Sequence, residues 1–116
     1  MGVFQIRNLL NDKLYIASSM DMPGFMNRTR FQLNANSHPI RALQKEWNEL
    51  GDENFAFEIL EEVVPRDQED YDHAADVKFL EDMWLDKEKP YGDKGYNDKK
   101  KTSEERMRSM RANRKL

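Results

Sequence analysis

Residues 2–19 read Gly2-Val3-Phe4-Gln5-Ile6-Arg7-Asn8-Leu9-Leu10-Asn11-Asp12-Lys13-Leu14-Tyr15-Ile16-Ala17-Ser18-Ser19. From residue 2 to 7 apolar and polar side chains largely alternate, which suits a strand with one buried face. Lys13 to Ser18 is a second short apolar segment, and Asn11-Asp12 between the two are turn formers. Two such segments across a short polar loop read as a β-hairpin.

Outward from the hairpin, Pro23 can open a helix, with Asp21 near enough to cap it. Phe25, Met26, Phe31 and Leu33 make it a partly amphipathic helix to about Leu33, these four supplying its apolar side, and Asn34 to His38 follow as a loop. Pro39 starts a second helix. In it Ile40, Leu43, Trp47 and Leu50 fall at helical spacing on one face, and Gly51 stops it. Phe55, Phe57 and Ile59 alternate with Ala56 and Glu58, giving a third strand to about Val63. Pro65 to Asp72 is an acidic loop. Ala74 to Lys87 is a third helix, with Val77, Leu80 and Trp84 on one face. Pro90-Tyr91-Gly92 and Gly95-Tyr96-Asn97 are rich in turn formers. Thr102-Ser103-Glu104-Glu105 resembles a capping box opening a last short helix. Only Met107, Met110 and Ala112 are interior-grade there, so alone it would be marginal in water. The order is ββααβα plus a basic tail, an α+β pattern with a small antiparallel sheet flanked by helices. Residues 1–97 form the expected domain and 98–116 a basic C-terminal extension.

The 116 residues suit one domain, and 35% charged against 38% hydrophobic residues leaves part of the chain for solvated loop or tail. Cysteine is absent, which excludes disulfides, thiolate catalysis and Cys-based zinc sites. No apolar run approaches the length of a membrane span. The N-terminus lacks the long apolar stretch of a leader and reads as mature protein, so a cytoplasmic location of bacterial type is expected. The formal net charge is −3, but it is unevenly spread: residues 98–116 carry +5, residues 1–48 carry +3 and residues 49–76 carry −10. The basic ends suit a polyanion and the acidic middle does not.

Few groups promise chemistry. His38 and His73 share no metal-ligand spacing, and no Ser-His-Asp order, Gly-rich phosphate loop or His-Glu-x-x-His run is present. Glu81 lies beside the core face marked by Leu80 and Trp84, where a carboxylate either is solvated or binds something. Trp47, Trp84, Phe55 and Phe57 sit at core spacing. Tyr91 and Tyr96 either pack or stack on a base.

Gly2-Val3-Phe4, then ten residues, then Tyr15-Ile16-Ala17-Ser18-Ser19 is similar to the paired signature of the GIY-YIG nucleases. The order continues through His38, Leu43-Gln44, Trp47, Gly51, Phe55, Phe57-Glu58-Ile59-Leu60-Glu61, Leu80-Glu81, Trp84 and Gly95-Tyr96-Asn97, so the resemblance spans residues 2–97. It implies hydrolysis of DNA phosphodiester bonds dependent on a divalent cation, Mg²⁺ or Mn²⁺. Glu81 matches the family's metal-binding glutamate and Tyr15 its second signature tyrosine. His38 matches a histidine of the homing-endonuclease branch, and Asn97 the asparagine near the domain's end. Phe4 stands at the first signature tyrosine, Ala17 at the second signature glycine, Phe25 at the first-helix arginine and Thr29 at the basic position beyond it. An apolar ring cannot stabilise phosphate charge, and removing one such electrostatic group costs about 10²–10³ in rate. Arg28, three residues past Phe25, is the expected substitute cation.

The expectation is therefore a nuclease of this type, with Tyr15, Arg28, His38 and Glu81 catalytic. Lys13, Arg30, Asn97, Lys99, Lys100, Lys101 and Arg106 would hold the nucleic acid. The alternatives are a degenerate relative that binds nucleic acid without cutting, and a protein-interaction domain using the acidic 65–76 surface.

Overall fold

The computed structural model describes residues 1–65 and 71–97. The expected tail helix, with Lys99, Lys100, Lys101 and Arg106, lies outside them, as does most of the acidic loop. Strand β1 (Gly2–Asn8) is central in a three-stranded antiparallel sheet, flanked by β2 (Leu14–Ser19) and β3 (Phe55–Glu62). Helices α1 (Met22–Asn34), α2 (Arg41–Leu50) and α3 (His73–Glu88) complete the α+β order expected from the sequence.

The hairpin closes as its turn residues dictate. The Asn8 N–H donates to Lys13 O at 2.9 Å and the Asp12 N–H to Asn8 O at 2.8 Å, with Asp12 in the left-handed region at φ 61°. Phe4 then faces Ala17 across the pair, and Ile6 faces Tyr15. Gly2 lies where β1 meets β3. A Cβ there would collide with the Glu61 carbonyl oxygen, so close strand approach requires glycine. Ala17 is not among the positive-φ residues, so a methyl at the second signature glycine costs the strand nothing.

Each face of the sheet carries its own core. On one, Phe4, Ile6, Ala17, Met22, Leu33, Leu43, Trp47, Phe55 and Tyr96 pack together under α1 and α2. On the other, Val3, Ile16 and Leu85 pack with Leu60, Leu80 and Trp84 from β3 and α3. A register shift between Val3 and Phe4 gives β3 an extra residue opposite β1. This bulge puts Leu60 into the α3 core beside Glu61, whose Oε1 accepts from Trp84 Nε1 at 3.0 Å.

Asp21 caps α1 as expected from the sequence, and Asp72, expected only as the end of the acidic loop, caps α3. Asp21 Oδ1 accepts from the Gly24 N–H at 3.2 Å, and Asp72 Oδ1 from the Ala75 N–H at 3.0 Å. Gly51, at φ 86°, ends α2. Two readings change. Helix α2 begins at Arg41 rather than Pro39, because Ile40 is still extended as its N-cap. Phe31 does not join the core side of α1 but stands 72% exposed. The buried α1 positions are Met22, Thr29 and Leu33, and Phe31 falls between two of them in sequence, on the far side of the helix.

Candidate active site

The outer edge of β2 carries the candidate residues. Tyr15 lies on the α1–α2 side of that strand, packed against the core there. Ser18, on the opposite side, donates its hydroxyl to Glu81 Oε2 at 2.6 Å, across 63 residues of sequence. Helix α3 supplies Glu81 because Leu85, one turn on, packs on Ile16 and Val3. The two sides meet electrostatically around the edge. Burial, and then the nearby negative charge of Glu81, raise the Tyr15 phenol above its ordinary range. At neutral pH Tyr15 therefore keeps its proton and offers a hydrogen-bond donor rather than a base.

His38 closes the Tyr15 side, its ring edge-on to the tyrosine with centroids 6.0 Å apart. It is 5% exposed. Its Nδ1 accepts the Ile40 N–H at 3.0 Å, and its own N–H donates to Gln44 Oε1 at 3.0 Å. Nδ1 as acceptor leaves the neutral ring's proton on Nε2. Burial holds the imidazole below its ordinary value of 6.5. The native state thus takes up this proton less readily than the unfolded chain. His38's contribution to stability is complete above about pH 6.5 and is lost as pH falls below it. Urea titrations between pH 7.5 and 5 should show this loss, and His38→Gln should flatten that part of the curve. An equal slope in the variant would assign the loss to other groups.

Residues 95–97 fix the same edge from outside. Gly95 bridges Leu14 in parallel, and the Tyr96 N–H donates to Leu14 O at 2.9 Å. A Cβ at Gly95 would strike the carbonyl oxygens of Leu14 and Pro90, so only glycine allows this approach. The Asn97 side chain then grips both backbone groups of Ile16. Its Oδ1 accepts from Ile16 N and its Nδ2 donates to Ile16 O, each at 2.8 Å. This places Asn97 as a clamp on the residue after Tyr15, a hold that neither spacing nor composition signals.

Tyr96 packs. Its ring is buried, and its hydroxyl accepts from Asn8 Nδ2 at 3.1 Å. Burial and the adjacent Glu46 drive its phenol far above the ordinary range. Lys13 joins this cluster. Its Nζ lies 3.4 Å from Glu46 Oε1 and over the Tyr96 ring at 5.8 Å, so its charge is matched within the fold.

The two apolar substitutions in the signature form one unit. Phe4 is fully buried, and the Phe25 ring lies against it with centroids 5.5 Å apart. The Arg28 guanidinium sits 5.0 Å over the Phe25 ring, and that of Arg30, toward β3, sits 4.5 Å over the ring of Phe57. Arg28 thus tops the aromatic pair that stands where the family carries a tyrosine and an arginine. Thr29, at the family's next basic position, is buried and donates its hydroxyl to Phe25 O within α1 at 2.8 Å. Ser18 is the site residue that motif reading passed over. Its only signal was its place one residue beyond the second signature triplet.

Among the described residues no three metal-ligating side chains cluster. A cation caged wholly by protein does not fit this donor set. A Mg²⁺-type ion does, because it is commonly held by one carboxylate together with waters and substrate phosphate. Glu81 is the carboxylate that could hold such an ion.

No protein-family model matches the sequence, and no curated protein matches it. Solved structures do. The catalytic domain of the homing endonuclease I-TevI aligns with a TM-score of 0.69 and 28% identity, over 85% of this chain and 98% of that one. The same domain of this intron endonuclease, as a glutamate-to-alanine mutant, aligns with a TM-score of 0.67 and 27% identity, over 87% and 95% of the two chains. With the β2-β1-β3 sheet, its flanking helices and the matched signature order, this likeness identifies the chain as a protein of the GIY-YIG nuclease fold.

Proposed function

We propose that this chain binds DNA and hydrolyses its phosphodiester bonds with a divalent cation held at Glu81. The observation that carries the reading is the union of Ser18, Glu81 and Tyr15 at one strand edge, in a domain shaped like the catalytic domain of a homing endonuclease. The Ser18 hydroxyl fixes the carboxylate, so that a bound cation and a phosphate meet at a defined place. The cation, when present, supplies positive charge to the phosphoryl oxygen. The Tyr15 hydroxyl keeps its own proton and, by hydrogen bonding, positions the attacking water against the phosphate. The His38 ring stands edge-on to the Tyr15 ring and carries its proton on Nε2. Arg28 supplies fixed charge from α1, one turn from where the family carries its arginine. Arg30 contributes to holding the backbone.

A second reading has a specific observation in its favour. Phe4 and Phe25 fill the tyrosine and arginine positions with an apolar pair, which suits a domain that holds DNA and leaves it intact. One assay separates the two. Supercoiled plasmid and labelled oligonucleotides are incubated with folded protein in Mg²⁺, Mn²⁺ or EDTA. Nicking that EDTA abolishes supports hydrolysis. Salt-sensitive DNA binding with no products in any metal supports the second reading. Neither binding nor products would reject both.

A further inference from the structure

Residues 22–45 contain Arg28, Arg30, Arg41 and Lys45 and not one Asp or Glu, in a chain with 22 acids in 116 residues. This acid-free window holds all of α1. The helix buries Met22, Thr29 and Leu33 and leaves Phe31 72% exposed. Phe31 is two residues from both Thr29 and Leu33, about 200° round the helix from each, so its ring stands at the outermost line of α1. Arg28 flanks it on one side, stacked over Phe25 toward β1. Arg30 flanks it on the other, stacked over Phe57 of β3. Both guanidinium groups are thereby steadied against rings on either side of the ridge.

A large exposed ring between two steadied cations, with no carboxylate on the helix, matches a stacked base with phosphates to either side. Duplex DNA keeps its base faces covered, whereas an unpaired base offers one. We infer that α1 is a binding ridge for nucleic acid carrying unpaired bases, with Phe31 as the stacking platform and Arg28 and Arg30 contacting the adjoining phosphates. This rests on the DNA reading above and narrows its substrate to single-stranded or locally unpaired DNA.

The test is fluorescence anisotropy of the full chain in EDTA at low salt. The probes are a labelled oligothymidylate and a labelled duplex of equal length, and the proteins are wild type, Phe31→Ala and Phe31→Trp. Phe31→Ala should weaken single-strand binding by about 5–150-fold while duplex affinity changes less than about twofold. Phe31→Trp should bind the single strand at least as well as wild type. Circular dichroism melts of both variants control for folding. If Phe31→Ala weakens both probes equally, or neither, the ridge is not a base platform and the inference falls. It falls also if the substitution changes the oligomeric state in sedimentation and leaves single-strand affinity intact, which would make the ridge a protein interface. A wild type that binds neither probe would reject the DNA reading itself, an outcome visible before any variant is compared.

Discussion

Glu81→Gln is expected to lower divalent-cation-dependent cleavage by about 10²–10³-fold, the usual cost of removing one preorganised electrostatic group. The amide keeps the size of the carboxylate and can still accept the Ser18 hydroxyl now 2.6 Å from Oε2. What it loses is the charge proposed to hold the cation. The packing of α3 through Val77 and Leu85 is untouched, so the melting temperature should stay within a few degrees of wild type. Initial rates of plasmid nicking in Mg²⁺ and over a series of Mn²⁺ concentrations, with a melt of each protein beside them, make the measurement. Equal rates in variant and wild type would show that the cation does not sit on Glu81, whatever the fold resembles. A loss confined to Mg²⁺ and rescued by higher Mn²⁺ would place the defect in cation affinity.

Phe4→Ala is expected to cost about 3–5 kcal/mol, enough to unfold a marginal domain of this size at ambient temperature. Phe4 is fully buried on the central strand, faces Ala17 across the hairpin and packs its ring on Phe25. Deleting the ring opens a cavity between sheet and α1, and the small Ala17 opposite cannot fill it. Equilibrium urea unfolding read by tryptophan fluorescence gives the number directly. Trp47 lies in the same core and reports its loss. A cost below about 1 kcal/mol would mean that α1 collapses into the space and that the Phe4–Phe25 pair is not a structural pillar. Phe31→Ala on the same helix should stay within about 0.5 kcal/mol, because its ring touches mostly solvent.

These opposite expectations for two phenylalanines show how far the sequence could be read. The hairpin, the capped start of α1, the Gly51 stop and the alternation of Phe55, Phe57 and Ile59 are local signals. Each depends on side-chain preferences of neighbours a few residues apart. Phe31 was misplaced for the same reason. An apolar residue carries no label for the side of the helix it will occupy, and the buried side of α1 is chosen by contact with the sheet. Glu81 was legible as a boundary carboxylate and as a family match. Its partner Ser18 was not, since 63 residues separate the two and no spacing rule spans that gap. The roles of Asn97 and Lys13 were equally hidden. One clamps the Ile16 backbone and the other pairs with Glu46, and both contacts exist only once the chain has closed.

The sequence by itself determined the class of fold, the order of elements and most of their boundaries. These follow from periodicity, capping and turn chemistry, which act over a few residues. Only the tertiary structure decided that β1 lies between β2 and β3 and that the bulge turns Leu60 onto the α3 core. It also joined Ser18, Glu81 and Tyr15 at one strand edge and left Phe31 facing solvent between two arginines. The physical reason is common to all of these. They are contacts between distant segments, set by which apolar faces can be buried together, and no local preference encodes that choice.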